Sequence, residues 1–214
     1  MLLFKILKDG RSCHGGELAW ELPTQQTDGS WVPAEWREIA GPLSLCSHGF
    51  HLTTAPNKWW LDGVTAWIAE SDGESISSEE KSCHRRVRLM RPASEKELAD
   101  HGVFPFGMHR LSSGHSTLSG DATATLCGHA SAKLYGNATA TLFDDASATL
   151  SGDATATLCD HATATLSGNA TANDYTGRQQ VVEGFAVLVD RTAAPPKIIT
   201  GGQEASPSQR SCGE

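Results

Sequence analysis

Residues 120–175 read GDATATLC, GHASAKLY, GNATATLF, DDASATLS, GDATATLC, DHATATLS and GNATANDY, seven successive versions of one eight-residue phrase. Counting from Gly120, the third, fifth and seventh positions are Ala, Ala and Leu, as in Ala122, Ala124 and Leu126 or Ala138, Ala140 and Leu142. The fourth and sixth are mostly Thr. Side chains alternate across a strand, so this order puts small apolar groups on one face and hydroxyls on the other. The remaining positions carry Gly, Asp and Asn, which tolerate the left-handed backbone of a tight corner. Each phrase is therefore a short strand followed by a turn. Threonine runs and recurring glycine disfavour the helical alternative.

One such strand cannot bury its Ala-Ala-Leu face alone. Stacked copies about 4.8 Å apart bury a continuous core and satisfy each other's backbone groups, which defines a β-solenoid. The number of strands per coil follows from the corners. Odd phrases carry Asp121, Asn137, Asp153 and Asn169, each after a glycine; even phrases carry His129, Asp145 and His161 after Gly128, Asp144 and Asp160. This alternation predicts a sixteen-residue coil with two parallel faces. A looser phrase at 112–119 extends the stack backwards, and about four coils are expected over 111–175. Odd phrases would display a ladder of Thr123, Thr125, Thr139, Thr141, Thr155, Thr157 and Thr171.

Beyond the repeat, Val181–Val189 reads as a denser apolar strand in a capping segment over 176–200. Residues 201–214 have the composition of a disordered tail. All six Trp lie within 1–110, where no repeat is visible. Apolar stretches at 2–7, 63–70 and 85–91 predict strands. Ser94 followed by Glu97 predicts a capped helix near 94–101, and 55–61 reads as a turn or short helix. The fold class expected is mainly β: a small α+β head over 1–110, then a two-faced parallel solenoid with a C-terminal capping strand.

Net charge is −8, and residues 112–175 contribute six Asp against a single Lys. Phosphate contacts require Lys and Arg, so direct nucleic-acid binding is not expected. No apolar run is long enough to cross a bilayer as a helix, and the opening MLLFKILKDG is short for a secretory signal, which together predict a cytoplasmic chain with no membrane contact. Cys13, Cys46, Cys83, Cys127, Cys159 and Cys212 lack the spacing of a secreted framework, so free thiols are expected.

The segments Cys13-His14-Gly15-Gly16 and Cys46-Ser47-His48-Gly49-Phe50-His51-Leu52, followed by a strand at Arg86–Arg91, resemble an uncharacterised domain of phage, prophage and actinobacterial proteins. In that family the domain commonly precedes short-period solenoid repeats. The resemblance covers about residues 1–92 and implies an architecture and a phage-encoded origin, with the host cytoplasm as the compartment; it brings no established activity. The repeats separately resemble bacterial octapeptide solenoids and the coils of ice-nucleation proteins.

Three chemistries compete with a purely structural reading. Cys13, Cys46, His48 and His51 could supply metal ligands, although paired Cys-x-x-Cys spacing is missing. His14, His51 and Glu70 could form a pocket like that of an ADP-ribosyltransferase. The Thr ladder could order water, as flat hydroxyl-bearing solenoids do in ice binding. No phosphate-cradling Gly loop or Ser-His-Asp arrangement is present, and no cofactor is expected. The reading favoured is a non-catalytic binding or scaffold protein that offers flat Thr-lined faces to a protein partner, with inhibition of a host protein as one version. A homo-oligomer is also compatible with the sequence.

Overall fold

The computed structural model describes residues 2–14, 18–45, 47–61, 63–79 and 81–201. The chain divides into two compact units, Met1–Gly102 and Val103–Glu214. The expected tail lies outside the described residues, apart from Gly201.

In the first unit four antiparallel strands close on themselves. Leu3–Lys8 pairs with Val64–Ser77, from Leu3 opposite Ala69 to Lys8 opposite Val64. Val64–Ser77 pairs with Lys81–Pro92, which pairs with Phe50–Thr53, and Phe4 opposite Thr53 completes the ring. The result is a small four-stranded barrel. Register shifts at Ile68/Ala69 and Asp72/Ser75 supply the extra bend that so narrow a ring requires. Leu7, Phe50, Leu52, Ala69, Val87 and Leu89 fill it, with Trp20 and Ala34 packed against them. The helical content is two short pieces, Pro56–Trp59 and Glu95–Asp100. The expected capping box is present: the Ser94 hydroxyl accepts from the Glu97 amide, and the Glu97 carboxylate accepts from the Ser94 amide. The head is thus a small barrel with two helical turns attached, within the mainly β fold expected.

The second unit is the parallel β-solenoid. One sheet stacks Met108–Leu111, Thr123–Leu126, Thr139–Leu142, Thr155–Leu158, Thr171–Asp174 and Val187–Asp190. The other stacks Val103–Phe104, His115–Leu118, Ser131–Leu134, Ser147–Leu150, Thr163–Leu166 and Val181–Val182. Pairing steps by sixteen residues within the repeat, as in Thr123 opposite Thr139, Thr139 opposite Thr155 and Thr155 opposite Thr171. Leu126, Leu134, Leu142, Leu150, Leu158 and Leu166 are fully buried, interleaved with the alanines. Positive φ recurs at the corners, at Gly120, Gly136, Gly152 and Gly168 on one side and Gly128, Asp144 and Asp160 on the other.

Coil geometry runs past the repeat in both directions, giving about six turns where four were expected. The stack opens at Val103, inside the segment assigned to the head from composition. The segment 181–189 is two strands, not one: Val181–Val182 extends one sheet and Val187–Asp190 the other, with Gly184 at φ +63° between them. The capping strand is Lys197–Thr200, which runs antiparallel along Val187–Asp190. A reversed final strand ends the parallel ladder and covers its edge.

Candidate functional site

The structure brings all seven predicted Thr residues onto one sheet. Thr123, Thr139, Thr155 and Thr171 form one column, and Thr125, Thr141 and Thr157 form the next, continued by Asn173. Columns stand about 7 Å apart and rungs about 4.8 Å apart. Thr139 and Thr171 are exposed and the others half-buried. The hydroxyls of Thr139 and Thr155 lie 3.1 Å apart and share a hydrogen bond. The ladder is bounded by Met108 and Arg110 at one end and Val187 and Val189 at the other. The second face carries Ser131, Lys133, Ser147, Thr149, Thr163 and Thr165 and is less uniform.

The corners are built by the residues that distinguished odd phrases from even ones. Asn137 donates its side-chain amide to Asp121 at 3.2 Å, and Asn169 donates to Asp153 at 3.1 Å. On the opposite corner Asp144 accepts the Gly128 amide at 3.0 Å. His129, Asp145 and His161 are exposed. Among the described residues no group of three or more His, Cys, Asp or Glu is arranged to hold a metal.

Of the four candidate metal ligands, Cys46 lies outside the described residues. The Cys13 thiol points at the Ile6 carbonyl, 3.8 Å away, and burial raises its pKa. His48 Nε2 lies 2.7 Å from the Ala40 carbonyl and therefore donates to it. Gly49 makes the corner between His48 and the strand that follows, at φ +123°. A Cβ there would sit 2.3 Å from Cys83 Sγ, so no larger residue fits.

His14 and His51 do meet. Both line a concave pocket of roughly 200 Å³ in the first unit, with Lys5, Trp20, Phe50, Thr53, Trp59 and Lys81. His14 donates from Nε2 to the Trp59 carbonyl at 2.6 Å and packs edge-on against the Trp59 ring. His51 donates from Nε2 to the Ser44 carbonyl at 3.3 Å. Burial lowers the pKa of both; for His51 the Lys81 and Lys5 charges lower it further. Both rings are thus biased toward the neutral form and oriented by carbonyls.

The third member of the predicted trio is elsewhere. Glu70 pairs with Arg88 across the neighbouring strand, at 2.6 Å, and is absent from the pocket lining. No Asp or Glu lies among the described lining residues. Among the described lining residues, then, none is the acid that an ADP-ribosyltransferase-like arrangement would use.

Among the lining residues that the sequence did not point to are Lys5, Trp20, Trp59 and Lys81. Lys5 shares a strand face with Leu3 and Leu7, which pack in the barrel interior, and it is only 9 % exposed. Its ammonium donates to the His51 carbonyl at 3.2 Å and lies 5.0 Å from the Trp20 ring centre. Burial lowers its pKa from 10.5 to about 8, with Cys13 acting weakly in the other direction. Lys81 stands 5.5 Å from the Trp59 ring centre. The Trp59 indole nitrogen is buried and has no hydrogen-bond partner among the described residues. The available signal was Lys5 itself, a charge in the middle of the apolar run LLFKIL.

No family model, curated protein or solved structure matches this chain.

Proposed function

We propose that this chain is a non-catalytic binding or scaffold protein of phage or prophage type, acting in the cytoplasm. Its solenoid would present a flat, hydroxyl-lined sheet to a protein partner. The observation that carries this reading is the in-register Thr ladder, two columns wide and unbroken from Thr123 to Thr171 but for Asn173. A ladder whose rungs from Thr123 to Thr171 follow one sixteen-residue step is rigid and regular, so little side-chain entropy is lost on docking. Threonine offers a methyl and a hydroxyl together, which suits a partner that is half apolar and half polar. The phage-type origin rests on the resemblance of residues 1–92 alone.

The test compares the two faces of the full-length protein. Thr141→Arg with Thr157→Arg should abolish capture of the bacterial proteins that the unaltered chain retains. Thr149→Arg with Thr165→Arg, on the opposite sheet, should leave capture intact. Equal behaviour of the two double variants, both having kept a β-rich circular dichroism spectrum, removes the Thr face from the account.

A second reading, ordering of water at an ice surface, draws on the same grid. It requires free hydroxyls, and the bond between Thr139 and Thr155 occupies two of them. Thermal hysteresis in a concentrated solution of the protein decides it; none should be seen.

A further inference from the structure

The pocket of the first unit has an imbalance of hydrogen-bonding groups that the proposed solenoid function leaves unused. Lys5 is nine-tenths buried, and among the described residues its ammonium meets one carbonyl and one aromatic ring. A buried ammonium without a carboxylate is costly, and proteins retain such a group chiefly where an anion joins it. The indole N–H of Trp59, whose residue lines the same pocket, is buried and has no acceptor among the described residues. An unmet buried donor costs about 1–3 kcal/mol. Two hydroxyls of the lining already accept other hydrogen bonds. Ser12 Oγ accepts from Trp20 at 2.9 Å, and Thr53 Oγ1 accepts from the Ala55 amide at 3.0 Å. His14 and His51 point their N–H groups at carbonyls. Each neutral imidazole keeps Nδ1 as an acceptor, but among the described lining residues no carboxylate answers the positive charge of Lys5, to which Lys81 adds a second ammonium.

We infer that this pocket binds a small organic anion, a carboxylate or phosphate monoester, held by Lys5 and the Trp59 indole N–H. Trp20, Phe50, Leu18 and the Trp59 ring supply apolar walls, so the ligand carries a flat or hydrophobic body beside its charge. Size narrows the class. At ~30 Å³ for each water-sized volume, the space holds one ring and one anionic group, and it falls below the ~300–1,000 Å³ of typical cofactor sites.

The experiment is isothermal titration calorimetry on the full chain near pH 7 with benzoate, phenyl phosphate and benzyl alcohol. One or both anions should bind saturably, which also distinguishes the two sources of charge, while the neutral alcohol should give no saturable heat. Lys5→Met, close in shape and uncharged, should weaken the bound anion by about tenfold to a hundredfold, the range for a hydrogen bond to a charged group. Trp59→Phe, which deletes only the N–H and its ring, should weaken it by about threefold to tenfold. Binding of neither anion overturns the inference, as does equal binding of benzyl alcohol to the unaltered protein. Undiminished affinity in Lys5→Met overturns it too. The first two outcomes need no variant, so they stand even if a substitution disturbs folding.

Discussion

Lys5 shows how one side chain can cost stability in return for chemistry. Its pKa falls to about 8 because burial penalises the charged form. Below pH 8 the ammonium is protonated both in the folded and in the unfolded chain, and the folded chain bears the full burial cost. Between pH 8 and 10.5 the unfolded chain holds the proton and the folded one does not, so stability rises with pH across that window. The whole effect is about 3 kcal/mol at ~1.4 kcal/mol per pH unit. Lys5→Met should therefore melt at a higher temperature than the unaltered protein at pH 7, and the gap should close as pH approaches 10.5. Thermal denaturation of both proteins at pH 7 and pH 10 checks this; a gap independent of pH would show that the lysine carries no burial cost. The sequence displayed this residue but not its role. LLFKIL reads as a strand whichever way Lys5 points, and only ring closure, brought about by segments far apart in the chain, puts its ammonium beside Trp20 and His51. His14 and His51 were legible as a pair, whereas Glu70 was not excluded until its partner Arg88 was seen across the sheet.

Among the elements, the coil was the most legible because every level of the phrase agrees: alternation, corner residues and core size all demand the same stack. Its ends were not legible. Val103–Phe104 and Met108–Leu111 stack on the repeat without sharing its Ala-Thr pattern, since a terminal rung needs only one matched neighbour. Near the other end, buried Gln180 accepts the Ala164 amide at 2.7 Å and donates to the Thr176 hydroxyl at 3.2 Å, so a side chain does the work of missing backbone. The corners carry a testable demand. Asp144 adopts φ +56°, and its carboxylate accepts the amide of Gly128 one coil away. Asp144→Gly keeps the left-handed backbone and loses the hydrogen bond. Asp144→Ala loses the bond and adds left-handed strain of ~1–2 kcal/mol. Urea denaturation should rank the unaltered protein above Asp144→Gly, and that above Asp144→Ala. Equal midpoints for the two variants would mean that this corner makes no conformational demand.

On the scale of the whole molecule, the two units gain stability by different routes. The barrel is a closed ring joined through the single pair Phe4 and Thr53, so its strands hold or fail together. The solenoid is quasi-one-dimensional, with each coil pairing only with those beside it, and its stability is close to a sum over coils and their interfaces. Such a stack tolerates loss of a whole period. Deleting residues 136–151 joins Tyr135 to Gly152 and sets Gly152 over Gly120, with Asp153 above Asp121, while every remaining strand keeps its sheet. Deleting residues 136–143 removes half a coil. Asp144 is then set over Gly120, at a corner where an added Cβ on Gly136 or Gly152 would come within 3.1–3.4 Å of the glycine backbone below. Both deletions remove the bond from Asn137 to Asp121, but the longer one sets Asp160 over Gly128 in the place of Asp144, whereas the shorter sets Gly152 there and leaves the Gly128 amide without a carboxylate. The sixteen-residue deletion should therefore remain folded with a modestly lower melting temperature, and the eight-residue deletion should lose more despite removing less. Melting curves followed by circular dichroism at the β-sheet band compare them directly. If the shorter deletion is the more stable, the period that matters is eight, and the two corners are interchangeable.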